Sequence, residues 1–94
     1  MRALKVGDVV KLRLDCLGNV EGTQGVVYNT CTVDEDLCVG VIFENGEYDG
    51  FSSNEQGTML ERVGEEPSLA GYQFKNVMQL SKDYEAGVFD AVLG

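Results

Sequence analysis

Apolar residues in this chain alternate with polar ones in short runs separated by glycines and polar segments. In the first run, Val10, Leu12 and Leu14 fall on one face, and Lys11 and Arg13 lie between them on the other. A repeat of two places alternate side chains on the same face of a strand, so this run predicts a half-buried strand over residues 8–14. The same reasoning predicts further strands at residues 23–29, 38–44, 47–51 and about 58–63.

Two polar segments between these runs predict different connections. Asn45-Gly46 favours a type I′ turn, because both residues accept the positive φ that this turn requires at its two central positions. The third and fourth strands are therefore predicted to form a tight hairpin. Residues 30–37 include three consecutive acids and predict an exposed loop, whereas residues 52–57 predict either a loop or a single helical turn.

The last third of the chain has a different pattern. Residues 72–78 predict a sixth strand, and Ser81 is a candidate N-cap for a C-terminal helix in which Gly87 is an interior residue. Four apolar side chains then share one face of that helix: Tyr84, Val88, Ala91 and Val92. A helix this short needs a surface to pack on, since isolated helices of this length are marginal in water.

Length and glycine content give the fold class. The chain has 94 residues, 44% of them apolar, with 12 glycines and one proline. Short apolar runs separated by glycines are typical of a small, mainly β domain. We expect a small antiparallel barrel of about five to six strands with a short C-terminal helix. Its core lies in residues 1–63, and residues 64–94 add a connector, a strand and the helix, which pack on the same domain.

Two local patterns resemble known barrels of the SH3-like class. Val6–Leu12, followed by Gly18, Gly22, Thr23 and Gly25–Val27, resembles the KOW type found in ribosomal and transcription-elongation proteins. The later stretch is similar to the small barrel protein of photosystem I through Val41, Phe43, Asn45, Tyr48, Gly50, Ser52, Asn54, Leu60, Glu61 and Val63. The pattern from Val39 to Gly46 is also similar to the Mind bomb-type barrel. The resemblance covers residues 5–63 and implies an SH3-like barrel that binds a protein or a nucleic acid, a class that rarely acts as an enzyme alone.

Charge weighs against nucleic acid as the partner. The chain has 16 acids and 7 basic residues, a formal charge of −9, and residues 15–63 hold ten acids against Arg62 alone. Phosphate neutralisation drives non-specific nucleic-acid binding, so an acidic chain is a poor candidate. Glu21 also occupies the place where KOW motifs usually have a basic residue.

Two alternatives still follow from this charge distribution. The acidic segment makes the chain a candidate mimic of nucleic acid, which would inhibit a DNA- or RNA-binding protein if its carboxylates lay in two phosphate-like rows. The basic start makes it a candidate KOW-like nucleic-acid binder through Arg2, Lys5, Lys11 and Arg13.

Few residues offer catalytic or metal chemistry. The chain has no histidine, and Cys16, Cys31 and Cys38 form no C-x-x-C pair, so a four-ligand zinc site is not expected. Asp34-Glu35-Asp36 lacks the spacing and the distal Glu of an EF-hand. We expect no enzyme activity, no metal and no cofactor. We expect the three cysteines to be reduced thiols, and one bridge between two of them is the alternative. Reduced thiols, together with the lack of an apolar run long enough for a signal peptide or a membrane span, predict a cytoplasmic protein.

The remaining hypothesis is a protein–protein interaction module, a monomer or weak homodimer whose partner is unknown. Aromatic side chains beside the groove of an SH3-like barrel commonly contact ligand peptides. The candidate partner-binding residues, on the loop at 15–22 and around the hairpin, are Leu17, Tyr28, Glu47, Tyr48, Asp49 and Phe51. Tyr48 is the residue most expected to be exposed, whereas core packing is the favoured role for Phe51.

Overall fold

Residues 3–16 and 18–94, which the computed structural model describes, form a mainly β fold with one five-stranded antiparallel sheet and short helices. The strands are β1 (Asp8–Leu12), β2 (Gln24–Val33), β3 (Asp36–Phe43), β4 (Tyr48–Phe51) and β5 (Leu60–Glu65). The helices are α1 (Ser53–Met59), α2 (Val77–Glu85) and α3 (Asp90–Leu93), with a 3-10 turn at Pro67–Leu69. The strand order is β4-β3-β2-β1-β5, so β4 and β5 lie at the two edges.

One face of the sheet carries the inner core, which follows the alternation seen in the sequence. Val39, Val41 and Phe43 of β3 point to this side, as their spacing of two predicts. Phe43 and Phe51 meet nearly edge to face, with ring centroids 6.2 Å apart. The buried members of the inner core are Val10, Leu12, Val27, Val39, Val41, Phe43, Phe51 and Leu60.

The opposite face carries an outer core that is closed by the C-terminal segment, residues 66–94. Val26, Tyr28 and Ile42 of β2 and β3 point to this side, and the helices and loops of the C-terminal segment pack over them. The buried residues that this segment contributes are Leu69, Leu80 and Phe89. The middle strands are thus apolar on both faces, whereas the alternation alone indicated one buried face.

The connection between β2 and β3 is a tight two-residue turn and not the exposed loop predicted for residues 30–37. Asp34 and Glu35 have φ values of 50° and 68°, the positive values of a type I′ turn. Val33 pairs directly with Asp36, so both strands extend to the turn. Asp accepts the left-handed region more readily than most residues, but nothing in an Asp-Glu pair marks this turn in the sequence.

The connection between β3 and β4 is a hairpin, but it is not the predicted type I′ turn. Within it Gly46 has a positive φ, of 86°, and Asn45 does not. The backbone N–H of Gly46 donates to the carbonyl of Phe43 at 2.9 Å, and that of Phe43 donates to the carbonyl of Glu47 at 2.8 Å. This is a three-residue loop with a left-handed glycine at its end, the other common hairpin geometry.

Helix α1 occupies the polar tract after β4 and delays the start of β5. Ser52 is its N-cap: the Ser52 hydroxyl accepts from the N–H of Glu55, and the Glu55 carboxylate accepts from the N–H of Ser52. This capping box satisfies two N–H groups that would otherwise lack partners. The fifth strand therefore begins at Leu60 and not near residue 58.

The C-terminal segment differs most from the sequence prediction. Residues 72–76 are irregular and form no sixth strand, and α2 begins at Val77 with Asn76 as its N-cap, the Asn76 side chain accepting from the N–H of Gln79 at 2.8 Å. Ser81 lies inside α2. An Asn followed three residues later by Gln is as good a start signal as the Ser81 pattern, so local sequence alone does not decide between them.

Gly87 ends α2 and is not an interior helix residue. Its φ is 87°, its N–H donates to the carbonyl of Tyr84 at 3.2 Å, and the N–H of Val88 donates to the carbonyl of Asp83 at 3.0 Å. This pair of bonds defines a Schellman motif with glycine at the left-handed position. The chain then turns into the short helix α3.

Candidate functional site

The edge strand β4 presents the candidate partner-binding residues that are accessible. Tyr48 is 39% exposed, Glu47 is exposed and Asp49 is half-buried. Tyr48 pairs with Ile42 of β3, and Asp49 pairs with Val41. Tyr48 therefore points to the same face as Ile42, and Asp49 to the same face as Val41. The Asp49 carboxylate accepts a hydrogen bond from the backbone N–H of Gly50 at 2.8 Å, so one backbone donor of this edge strand already has a partner within the strand. We call this exposed edge, formed by Glu47, Tyr48 and Asp49, the β4 surface.

Two of the candidate aromatic residues are buried and offer no surface to a partner. Phe51 is 1% exposed and lies in the inner core. Tyr28 is 7% exposed, and its ring centroid lies 4.9 Å from that of Phe74 in the C-terminal segment. Burial raises the pKa of the Tyr28 hydroxyl, and the neighbouring Tyr48 and Asp49 raise it further. Tyr28 is therefore covered by the irregular segment for which the sequence predicts a sixth strand.

The loop between β1 and β2 lies close to the β4 surface. Cys16 and Asn19 pair through two backbone hydrogen bonds of 2.8 Å, and Cys16 packs against the inner core. Burial raises the pKa of the Cys16 thiol, and the carboxylates of Asp49 and Glu55 raise it further. The loop and β4 are therefore within electrostatic range of each other. Leu17, also a candidate for partner binding, lies outside the described residues.

Of the candidate basic residues that the structure describes, Lys5 is held by two carboxylates. The Lys5 ammonium lies 2.6 Å from the Glu65 carboxylate and 3.4 Å from that of buried Asp8. Arg62 lies 3.3 Å from Asp8, measured from Nε to Oδ1. The hydrogen bond to Glu65 raises the pKa of Lys5, and Asp8 adds to this effect. These charges hold β1 to β5, and Arg2 lies outside the described residues.

Lys11 and Arg13 are exposed, but each is associated with β5 or its start. Lys11 pairs across the sheet with Glu61, an opposite charge. The Nε of Arg13 donates to the carbonyl of Leu60 at 3.0 Å. Lys11 therefore lies opposite one acid, and the Arg13 side chain is bonded to a backbone carbonyl.

A cavity of about 340 Å³ opens at one end of the inner core. Leu4, Leu37 and Leu60 give it an apolar floor. The other lining residues are Ala3, Arg13, Ser53, Gln56, Gly57, Glu61 and Arg62. Its volume is at the small end for a ligand site. The sequence contains one indirect signal of this cavity. Leu37 continues the alternation of Val39 and Val41, which places an apolar side chain on the inner-core face beyond the buried residues.

The described lining of this cavity carries few ionisable side chains, which are Arg13, Glu61 and Arg62. It holds one carboxylate, Glu61, and no thiol. General acid–base chemistry needs two groups with separated pKa values, and covalent catalysis needs an activated nucleophile. The Ser53 hydroxyl donates to the Asp36 carboxylate, and this contact lowers the pKa of Asp36.

The three consecutive acids at residues 34–36 have a structural role. Asp34 and Glu35 form the β2–β3 turn. Asp36 accepts from the hydroxyl and the N–H of Ser53, which lowers its pKa. Among residues 3–16 and 18–94, no group of three or more Cys, Asp or Glu side chains is arranged to hold a metal ion.

The cysteines are free in the structure, and Cys16 and Cys38 have raised pKa values, chiefly because they are partly buried. A raised pKa lowers the fraction of thiolate at neutral pH, so these thiols react with an external reagent more slowly than an unperturbed cysteine does. Over the described part of the chain, no helix has the length and apolar character needed to cross a bilayer.

Comparison of the sequence and fold with protein-family models, characterised proteins and solved structures gave no match. Function must therefore be inferred from the arrangement of residues in this molecule. The β4 surface is the one place where an exposed aromatic, flanking carboxylates and an open sheet edge coincide among the described candidate residues.

Proposed function

We propose that this chain is a small, acidic, non-catalytic binding module with an SH3-like barrel fold, and that it binds a protein partner through the β4 surface. Its fold is supported by strand order. The sheet runs β4-β3-β2-β1-β5, so the last strand returns to pair with the first, and a short helix precedes it. The register shifts by one residue at two places, where Val63 of β5 is unpaired opposite Val9/Val10 and where Tyr28 of β2 is unpaired opposite Val41/Gly40. Bulges of this kind bend the strand that carries the extra residue and so favour a curved sheet.

The exposure of Tyr48 is the observation on which the binding proposal rests. A tyrosine supplies a large contact area and a polar hydroxyl at low entropic cost, which is why tyrosine is enriched at interfaces. Tyr48 lies on an edge strand between Glu47 and Asp49. An edge strand also offers backbone groups to an extended peptide, so aromatic contact and strand addition are compatible at this site.

The partner's chemistry follows from the charge around Tyr48. The sequence has no Lys or Arg between Arg13 and Arg62, so the loop beside β4, β4 itself and α1 carry only negative charges of their own. Complementary charge raises the association rate and disfavours acidic partners. The expected partner is a protein segment that contains Lys or Arg next to an apolar residue.

The two nucleic-acid alternatives have less support. Mimicry requires carboxylates in two rows, but Asp34 and Glu35 lie at one end of β3, Glu44 and Glu47 at the other, and Glu61 on the opposite edge of the sheet. Direct binding requires free cations, whereas Lys5 is engaged by Asp8 and Glu65.

The test is affinity capture with the tagged full chain, comparing wild type with Tyr48→Ala and Glu47→Lys. The best control is Val63→Ala, because Val63 is also an exposed apolar residue, at 44%, but lies on β5 at the other edge of the sheet. We expect Tyr48→Ala and Glu47→Lys to weaken binding of the captured protein at least tenfold, with Val63→Ala unchanged.

Each failure has a separate meaning. A partner that binds all three variants equally would place the interface elsewhere. A chain that captures no stoichiometric partner and elutes as a monomer at high concentration would contradict the binding function itself. Displacement of the partner by duplex DNA would support mimicry over the proposed role.

A further inference from the structure

We propose that Cys31 and Cys38 are a site of reversible disulfide formation that crosslinks β2 and β3 beside their turn. These two cysteines are direct partners in the antiparallel register: the pairing runs Thr30↔Val39, Cys31↔Cys38 and Thr32↔Leu37. Directly opposite residues point to the same face of a sheet. The register therefore brings the two thiols side by side, which their separation in the sequence does not indicate.

The spacing of antiparallel partners suits a disulfide. Directly opposite Cα atoms lie about 4.5 to 5.5 Å apart in antiparallel pairs. Disulfides form over Cα separations of roughly 4.4 to 6.8 Å. The strands therefore need little movement to join the two sulfur atoms. Asp34 and Glu35 close the hairpin next to this pair and hold its register.

The environment of the two thiols differs and gives an order of reaction. Cys31 is exposed, and Cys38 is half-buried. The Cys38 sulfur lies 3.8 Å from the carbonyl oxygen of Asp36 and 3.9 Å from its carboxylate. Burial, the charge of Asp36 and the neighbouring Cys31 all raise the pKa of Cys38. Cys31 is thus the thiol that meets an oxidant first, and Cys38 resolves the intermediate.

The oxidant is a small disulfide of the glutathione class. The Cys31 thiolate attacks one of its sulfurs, forms a mixed disulfide and releases the first small thiol. The Cys38 thiolate then attacks the Cys31 sulfur, which forms the protein disulfide and releases the second small thiol. The protein loses two electrons and two protons, and the small disulfide gains both and leaves as two thiols.

Cys16 provides the control, because it belongs to a different part of the molecule. It packs against the inner core beside Asn19 and has no partner role in the β2–β3 register. A Cys16→Ser variant keeps the proposed pair intact. Cys16→Ser/Cys38→Ser leaves Cys31 without its partner, and Cys16→Ser/Cys31→Ser leaves Cys38 without its own.

The experiment treats the full chain carrying Cys16→Ser with glutathione disulfide and measures its intact mass after alkylation of free thiols. We expect a monomer that has lost two hydrogen atoms and takes up no alkylating agent, at a rate independent of protein concentration. Dithiothreitol should restore both thiols. The oxidised form should melt about 5 °C or more above the reduced form, since the crosslink restricts the unfolded chain. Cys16→Ser/Cys38→Ser should stop at one glutathione adduct.

Two results would overturn the proposal. One is accumulation of glutathione adducts in Cys16→Ser without an internal disulfide. The other is crosslinking that yields dimers and increases with protein concentration. Because mass and thiol uptake are measured on folded protein under native conditions, neither result depends on the identity of a binding partner.

Discussion

Asp36 accepts hydrogen bonds from both the backbone N–H and the hydroxyl of Ser53, and so joins the first residue of β3 to the first residue of α1. Gln56 strengthens this junction by donating from its side-chain amide to the carbonyls of Leu37, at 2.8 Å, and Phe51, at 3.1 Å. These bonds fix the helix that precedes β5 to β3 and to the end of β4.

Stability should depend on the ionisation of Asp36. The Ser53 hydroxyl is the main cause of its lowered pKa. A carboxyl with a lower pKa in the folded state stabilises the protein above its unfolded pKa, about 3.9, and this contribution is lost as the pH falls through the folded value. We therefore expect Asp36→Asn to lower the melting temperature at pH 7 and to reduce its decrease between pH 5 and pH 3, measured by circular dichroism.

Ser53→Ala is the matched test of the same hydrogen bond. It removes the main donor to Asp36, so it should reproduce the effect, and the double variant should add little to either single change. Additive effects of the two variants would show that Asp36 acts through another contact.

Glycine at position 35 should stabilise the β2–β3 turn. Glu35 has a φ of 68°, a conformation that costs a residue with a side chain roughly 1–2 kcal/mol and that glycine adopts without this cost. Part of the gain is lost, because glycine has a larger conformational entropy in the unfolded chain. Glu35→Gly should therefore add about 0.5 kcal/mol, or a few degrees in melting temperature. Thr32→Gly, in the adjoining strand, should destabilise. Equal losses in both variants would contradict the left-handed turn.

The substitution Gly87→Ala distinguishes the two interpretations of the C-terminal segment by the sign of its effect. In a helix interior, alanine would stabilise by about 1 kcal/mol relative to glycine. In the observed turn, φ is 87° and an added Cβ would lie 2.8 Å from the Asp90 carboxylate, so we expect a loss of about 1–2 kcal/mol in urea unfolding. Gly71→Ala is the control, because its Cβ would have nothing within 4 Å and it should change stability by less than about 0.5 kcal/mol.

The outer core should contribute to the stability of the whole sheet. Leu80 is fully buried, whereas Met78 on the same helix is 68% exposed. Leu80→Ala should cost about 2–5 kcal/mol in the free energy of unfolding, and Met78→Ala within about 0.5 kcal/mol. If Leu80→Ala unfolded α2 while leaving the β-sheet transition unchanged, the two cores would be independent.

The inner core could be predicted from the sequence because it depends on alternation alone. A spacing of two is enough to predict that Val39, Val41 and Phe43 share one face. The Asn-Gly pair is enough to predict a hairpin after them. The exposure of Tyr48 also follows from its place beside that hairpin.

The burial of Tyr28 could not be predicted in this way. It depends on Phe74, which lies in an irregular segment that no periodicity identifies. The turn at Asp34 and Glu35 could not be predicted for a similar reason. The pairing of β2 with β3 imposes the geometry of this turn, and the two residues themselves do not favour a left-handed backbone. The Cys31–Cys38 pairing depends on the same register, so it cannot be recognised in the sequence unless the position of this turn is predicted correctly.

The outer core sets an order in which the fold can be completed during synthesis. The strands leave the ribosome before Leu80 and Phe89 do, so a nascent sheet exposes Val26, Tyr28 and Ile42 to solvent or to a chaperone until those two residues emerge. A product truncated before the C-terminal segment would keep this apolar face of the sheet exposed permanently. Quality control of this fold therefore depends on the residues that are synthesised after the sheet.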